Sequence, residues 1–180
     1  MNLDALTTSF SKIEKKIDLP LYLRQVCLAL VNKSISKDEI KLTLKKQNIN
    51  FSIAKVGFLH LILEYIKEAL SDNVLTDSEN ENIKYLKLLF NIRPGDFYLH
   101  NKMDVDATIA LQLCRIYSDD FISDEEALLK VVLQEIFDLS FDEMNDYSKT
   151  EAAMSLQKGI DVKDLNVFFT QKEFFKLNKP

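Results

Sequence analysis

The chain has 180 residues, 47% of them apolar, with 12 Phe and a net charge of −5. That is enough to bury the core of one domain without disulfides or a structural metal. With only 3 Gly and 3 Pro, against a usual combined share of about 12%, it lacks the residues that hairpin turns and sheet corners need, and its acidic balance excludes a general nucleic-acid binder, whose phosphate contacts need a basic face. An all-α, single-domain chain over residues 1–180 is expected. Two cysteines, Cys27 and Cys114, are too few for a secreted disulfide scaffold and point to a reducing cytoplasm. Met1 to Lys16 lacks the apolar run of a signal peptide, and no segment approaches the ~18 uncharged apolar residues of a membrane span.

In chain order, the first predicted helix is Leu3 to Ile17, with Leu6, Phe10, Ile13 and Ile17 on one face. Asp18-Leu19-Pro20 breaks it, and Pro20 suits the start of the next helix, Leu21 to Val31. Ile40 to Lys46 follows and completes a set of N-terminal helices over residues 1–50. A duplicated hairpin core is read over residues 58–147. Within it, Phe58 to Leu70 and Leu128 to Phe137 are apolar on nearly every side, as buried central helices are. Ile83 to Phe90 and Thr108 to Tyr117 lie between them. Residues 148–180 form a C-terminal helical extension, in which Val167-Phe168-Phe169 and Phe174-Phe175 are read first as a last helix docked on the core and otherwise as a partner-binding face.

The duplication is direct. Asp72-Asn73-Val74-Leu75-Thr76-Asp77-Ser78-Glu79 aligns without gaps on Asp119-Asp120-Phe121-Ile122-Ser123-Asp124-Glu125-Glu126, at an offset of 47 (119 − 72). Downstream, Leu86 falls on Leu133, Phe90 on Phe137, Asn91 on Asp138, Ile92 on Leu139 and Phe97 on Met144. A third, weaker copy begins at Asn32-Lys33-Ser34-Ile35-Ser36, and its following helix is three residues shorter.

Each part of this unit has a mechanical role. Asn73 or Asp120 tolerates the left-handed conformation that ends a helix. Leu75, Ile122 and Ile35 are placed to staple the turn to the core, so Leu75 and Ile122 are expected to be buried at equivalent positions. Thr76, Ser123 and Ser36 are N-caps with Glu79, Glu126 and Glu39 three residues on, and Ser140 with Glu143 repeats this capping box.

Candidate chemistry is sparse. The turns resemble half of an EF-hand loop, but in that register the early ligand positions fall on Glu68 and Leu70, and on Arg115 and Tyr117, which do not form a carboxylate cage. The turn acids are therefore read first as caps favoured by the helix dipole. His60, inside an apolar helix, is read as a core histidine, and His100 is placed in the loop after Pro94-Gly95; neither has a partner at metal spacing. Gly57, Gly95 and Gly159 are isolated and make no phosphate cradle. Cys27 and Cys114 have apolar sequence neighbours unlike those of an activated thiol. No catalytic residue, no bound cofactor and no enzymatic activity is expected. The lysines at Lys12, Lys15, Lys16, Lys41, Lys45 and Lys46 read as solvated helix faces.

The paired pattern Asp-x-x-apolar-Ser/Thr-x-x-Glu, each copy leading to Phe-Asn-Ile or Phe-Asp-Leu, resembles the TerB-like (tellurite-resistance) family over roughly residues 58–144. Where the family has Gly after the turn Asp, this chain has Asn73 and Asp120. The resemblance implies an all-helical, bacterial stress or defence module with an acidic surface for a divalent cation such as calcium or magnesium. The metal residues would then be Asp72, Glu79, Asp119 and Glu126. It also implies a protein partner and peripheral association at the inner side of the membrane. A different expectation is an acidic helical immunity protein that blocks a bacterial toxin, such as a basic nuclease, by charge complementarity.

Overall fold

The computed structural model describes residues 3–162 apart from residues 34 and 120. The expected all-α architecture is present: eight α-helices and no strand occur among the described residues. They are α1 (Leu3–Lys16), α2 (Leu21–Val31), α3 (Lys37–Lys46), α4 (Phe51–Ala69), α5 (Asp77–Leu89), α6 (Asp96–Ile116), α7 (Asp124–Ile136) and α8 (Phe141–Gln157), with a single 3₁₀ turn at Leu70–Asp72. The chain divides into two compact units, Met1–Lys102 and Met103–Pro180. The division falls inside α6, next to Asn101, whose backbone leaves helical geometry at φ −133° and ψ 26°. It also falls inside the span 58–147 read above as a duplicated core.

In the first unit α4 is the helix around which the others gather, packing on α1, α2, α3 and α5. Its sequence explains this. Ala54, Phe58, Leu59, Leu61, Ile62, Leu63, Tyr65, Ile66 and Ala69 are all buried, so apolar contact is made around most of its circumference. Phe58 stacks on Phe90 with ring centroids 4.4 Å apart, and Phe10 stacks on Tyr65 at 5.6 Å. The Tyr65 hydroxyl accepts a hydrogen bond from the buried Asn82 side chain at 3.0 Å, satisfying a polar group inside the core. Gly57 lets α2 approach α4 closely: a Cβ there would meet Leu23 Cδ1 at 2.7 Å and collide with the Tyr22 hydroxyl.

Helix ends follow one scheme. Lys33, Asn48, Asn73, Asn91 and Asp138 have φ between 53° and 66°, the left-handed region. Asn48, Asn91 and Asp138 occupy equivalent places in the three copies. After each, the next amide reaches back to close the helix: Ile49 N donates to Leu44 O at 3.0 Å, Ile92 N to Lys87 O at 2.8 Å and Leu139 N to Gln134 O at 2.9 Å. These are the six-to-one bonds of a Schellman motif, made here without glycine.

Two helices begin earlier than either their apolar patterns or the capping boxes suggest. The Asn50 side chain accepts Ile53 N at 2.8 Å, so α4 starts at Phe51. The Asp96 carboxylate accepts Arg93 N at 2.7 Å, and α6 starts there rather than near Thr108. His100 is thus helical and exposed, not in a loop. The staple residues Leu75, Ile122 and Ile35 are half-buried rather than fully buried, because a residue in an exposed turn offers only one side to the core. The stretch Leu128 to Phe137 is not buried all round either, since Leu128 and Val131 are each 61% exposed. Asp120 and the aromatic residues Phe168, Phe169, Phe174 and Phe175 lie outside the described residues.

Because Asn and Asp tolerate the left-handed well better than a residue with an apolar Cβ branch or methyl, Asn91→Ala and Asp138→Ala should each destabilise the fold by about 1 kcal/mol. Asn91→Gly should be close to neutral. Urea unfolding of the three variants checks this order.

Candidate functional site

The four carboxylates singled out by the repeat are all engaged with their own turns. Glu79 Oε2 accepts from Thr76 N at 3.0 Å and from the Thr76 hydroxyl at 2.7 Å, while Glu79 N donates back to that hydroxyl. Glu126 repeats this with Ser123 at 2.8 Å and 2.9 Å. Asp72 Oδ1 accepts Val74 N at 3.1 Å, and Asp119 Oδ1 accepts Phe121 N at 3.0 Å. Each acid therefore supplies an acceptor for an amide that the helix itself leaves unpaired. Asp72 and Glu79 belong to the first unit, and Asp119 and Glu126 to the second. Among the described residues, no group of three or more His, Cys, Asp or Glu side chains converges as metal ligands would.

The remaining polar groups are scattered. His60 is half-buried on α4, so it is not the core histidine its setting suggests. Lys55 and Asp96 form a half-buried ion pair at 2.7 Å. Burial pushes the Asp96 carboxyl up, but the Lys55 ammonium and the Arg93 amide outweigh it and hold it below the ordinary 3.8. Burial, aided by Glu14, pushes the Cys27 thiol up to about 12. Cys114 is exposed despite its apolar sequence neighbours. Tyr147 donates to Asp106 in the second unit.

A concave feature lies between α7 and α8, within the second unit. It is a groove of about 270 Å³ lined by Ile122, Ala127, Lys130, Val131, Gln134, Phe141, Met144, Asn145 and Ser148. Helix α7 explains its apolar character, because it carries two apolar faces. Leu129, Leu133 and Ile136 are buried in the core, while Leu128 and Val131 point away from it. Phe121 and Phe141, at the starts of α7 and α8, are 70% and 62% exposed. The charge of Lys130 is drawn aside, its ammonium 3.0 Å from the Tyr117 hydroxyl and over that ring.

Part of this exposed surface differs between the copies. At the 47-residue offset, the places of Leu128, Val131 and Phe141 are held in the sister copy by Glu81, Lys84 and Pro94. The groove is also set in acid: residues 121–151 carry nine Asp and Glu against two Lys, a net −7 that exceeds the −5 of the whole chain. The sequence held this signal in the exchange of polar for apolar residues between the copies, but the pattern alone reads as a more deeply buried helix.

No protein-family model, curated protein or solved structure matches the chain.

Two outcomes follow from this geometry. Thr76→Ala and Ser123→Ala should each cost about 0.5–2 kcal/mol, whereas Asp72→Asn with Asp119→Asn should cost little and calcium or magnesium should leave the melting temperature of the parent unchanged; differential scanning calorimetry with and without the metals checks both. The Asp96 carboxyl is held below its ordinary value, so its contribution to stability is present above the usual carboxylate range and is lost as pH falls through the lowered value. Asp96→Asn should therefore lower the urea midpoint at pH 7, with the parent and variant midpoints converging in acid.

Proposed function

We propose that this chain is a non-enzymatic helical binding module of the TerB-like kind, whose α7–α8 groove seats a basic, amphipathic helical segment of a protein partner. One observation carries the reading: an exposed apolar groove, with Val131 where the sister copy has Lys84 and Ala127 where it has Asn80, lies on helices whose stretch 121–151 carries a net −7. An apolar stripe on the ligand would cover Val131, Phe141 and Leu128, and lysines or arginines beside that stripe would meet the acidic first turns of α7 and α8. Such a ligand associates faster at low salt. A stress-response module in the cytoplasm, bound peripherally to a membrane through its partner, is the wider form of the proposal. No single helix among the described residues is long and apolar enough to cross a membrane. The local charge of −7 also favours a second reading, an immunity protein in which the same groove takes a basic element of a toxin.

An 18-residue amphipathic helix made only of Leu and Lys is a direct probe. It should bind with an affinity that falls as salt rises, and its chemical-shift footprint should centre on α7 and α8. Val131→Glu with Phe141→Glu should remove the binding. A footprint elsewhere, or equal binding of a matched Leu and Glu helix, would count against the groove.

A further inference from the structure

The chain is divided in charge as well as in packing. Residues 1–56 carry ten Lys and Arg against five Asp and Glu, a net +5, whereas residues 121–151 carry −7. Like the α7–α8 groove, the basic part exposes large apolar side chains, Leu21 and Leu28 of α2 among them. We infer that the ligand of the α7–α8 groove is α2 of a second copy of this chain, so that copies associate head to tail. This rests on the reading of the groove given above and names its partner.

Helix α2 has the form that such a groove takes. Leu23, Val26, Cys27 and Leu30 are buried, which turns Leu21, Arg24, Gln25 and Leu28 outward at the i, i+3, i+4, i+7 spacing of a helix laid in a groove. The two leucines stand about 10 Å apart along the axis. Arg24 is engaged with Glu14 and Asp18, but further cations lie close by. Gln47 Nε2 donates to Gln25 Oε1 at 2.8 Å and ties the outward edge of α2 to the end of α3. There Lys45 and Lys46 are exposed and enter no ion pair among the described residues. Across the groove's helices, Asp124 and Glu125 of α7 and Asp142 and Asp146 of α8 are likewise exposed and outside any ion pair among the described residues. Each face therefore carries the charge that the other lacks. Leu21, Leu28, Val131 and Phe141 are all exposed in one chain, so the two faces do not cover each other there and the contact is one between copies. A two-fold pairing of groove against groove would instead set −7 against −7, which like-charge repulsion disfavours. Since each copy in a pair keeps one face unused, the union is heterologous and extends into a ring or a chain.

Sedimentation velocity on the full chain tests this, with circular dichroism to confirm that each variant is folded. The average mass should rise above 20.8 kDa as concentration increases and fall back as salt rises. The Leu and Lys helix should compete and return the chain to monomer. Val131→Glu with Phe141→Glu removes the groove, and Leu21→Glu with Leu28→Glu removes the α2 face; each variant alone should stay monomeric. Mixed in equal amounts, the two should form a heterodimer and nothing larger, because one intact groove then meets one intact α2. Lys45→Glu with Lys46→Glu, confined to exposed side chains, should weaken the association at least tenfold. A parent chain that stays monomeric while binding the Leu and Lys helix would overturn the contact between copies and leave the groove reading intact. So would association that survives the α2 or lysine substitutions, or a mixture of the two folded variants that stays monomeric. A parent chain that neither associates nor binds the helix would overturn both readings.

Discussion

A helix can stop only if its last carbonyls find donors and its backbone finds a way out, and in this chain that second requirement is met almost without glycine. Asn48, Asn91 and Asp138 enter the left-handed well at equivalent points, and the residue after each closes the helix with its amide. The next helix then starts on a side-chain acceptor, Asn50, Asp96 or Glu143 with Ser140. Everything else depends on this alternation. It sets the lengths of the helices, and those lengths decide which apolar faces are presented for packing. The aromatic stack of Phe58 on Phe90, for example, sets the residue just past the end of α5 against the middle of α4. It exists because the turn at Asn91 comes where it does.

The chemistry of stopping and starting is local, and for that reason it was legible. Thr76 with Glu79, Ser123 with Glu126 and Ser140 with Glu143 form the capping boxes that their spacing predicts. The central place of Phe58 to Leu70 was legible too, because a helix apolar on all sides has nowhere else to go. The starts of α4 and α6 were not. The first turn of α4, Phe51-Ser52-Ile53-Ala54, is cut off from the apolar run by Lys55 and Gly57, and that of α6, Asp96-Phe97-Tyr98-Leu99, by His100-Asn101-Lys102, so the cap acceptors at Asn50 and Asp96 mark them. The groove lay further still from what a pattern can show. Leu128 and Val131 are as apolar as Leu129 and Leu133, and nothing in the order of letters says which pair meets the core.

Duplication supplies the comparison that a single hairpin lacks. Positions kept alike in the two copies, such as Leu86 with Leu133 and Phe90 with Phe137, are buried in both. Positions that differ in polarity, Glu81 against Leu128 and Lys84 against Val131, are exposed in both. Packing therefore constrains the first set equally in each copy, while the second set is free to take on a separate task. The acidic first turns serve both ends. They stabilise the helices through the dipole, and on α7 and α8 they also give the apolar groove a field that attracts cations and repels other acidic surfaces.

The contrast between the two cysteines has a practical consequence. Cys27 is buried, with a thiol pushed up to about 12, so almost none of it is the reactive thiolate at neutral pH. Cys114 is exposed on α6, in the same unit as α7 and α8. An alkylating reagent should therefore discriminate between them without any mutagenesis. A fluorophore or spin label on Cys114 would give the native sequence a single built-in reporter, carried by the half of the chain where ligands are proposed to arrive.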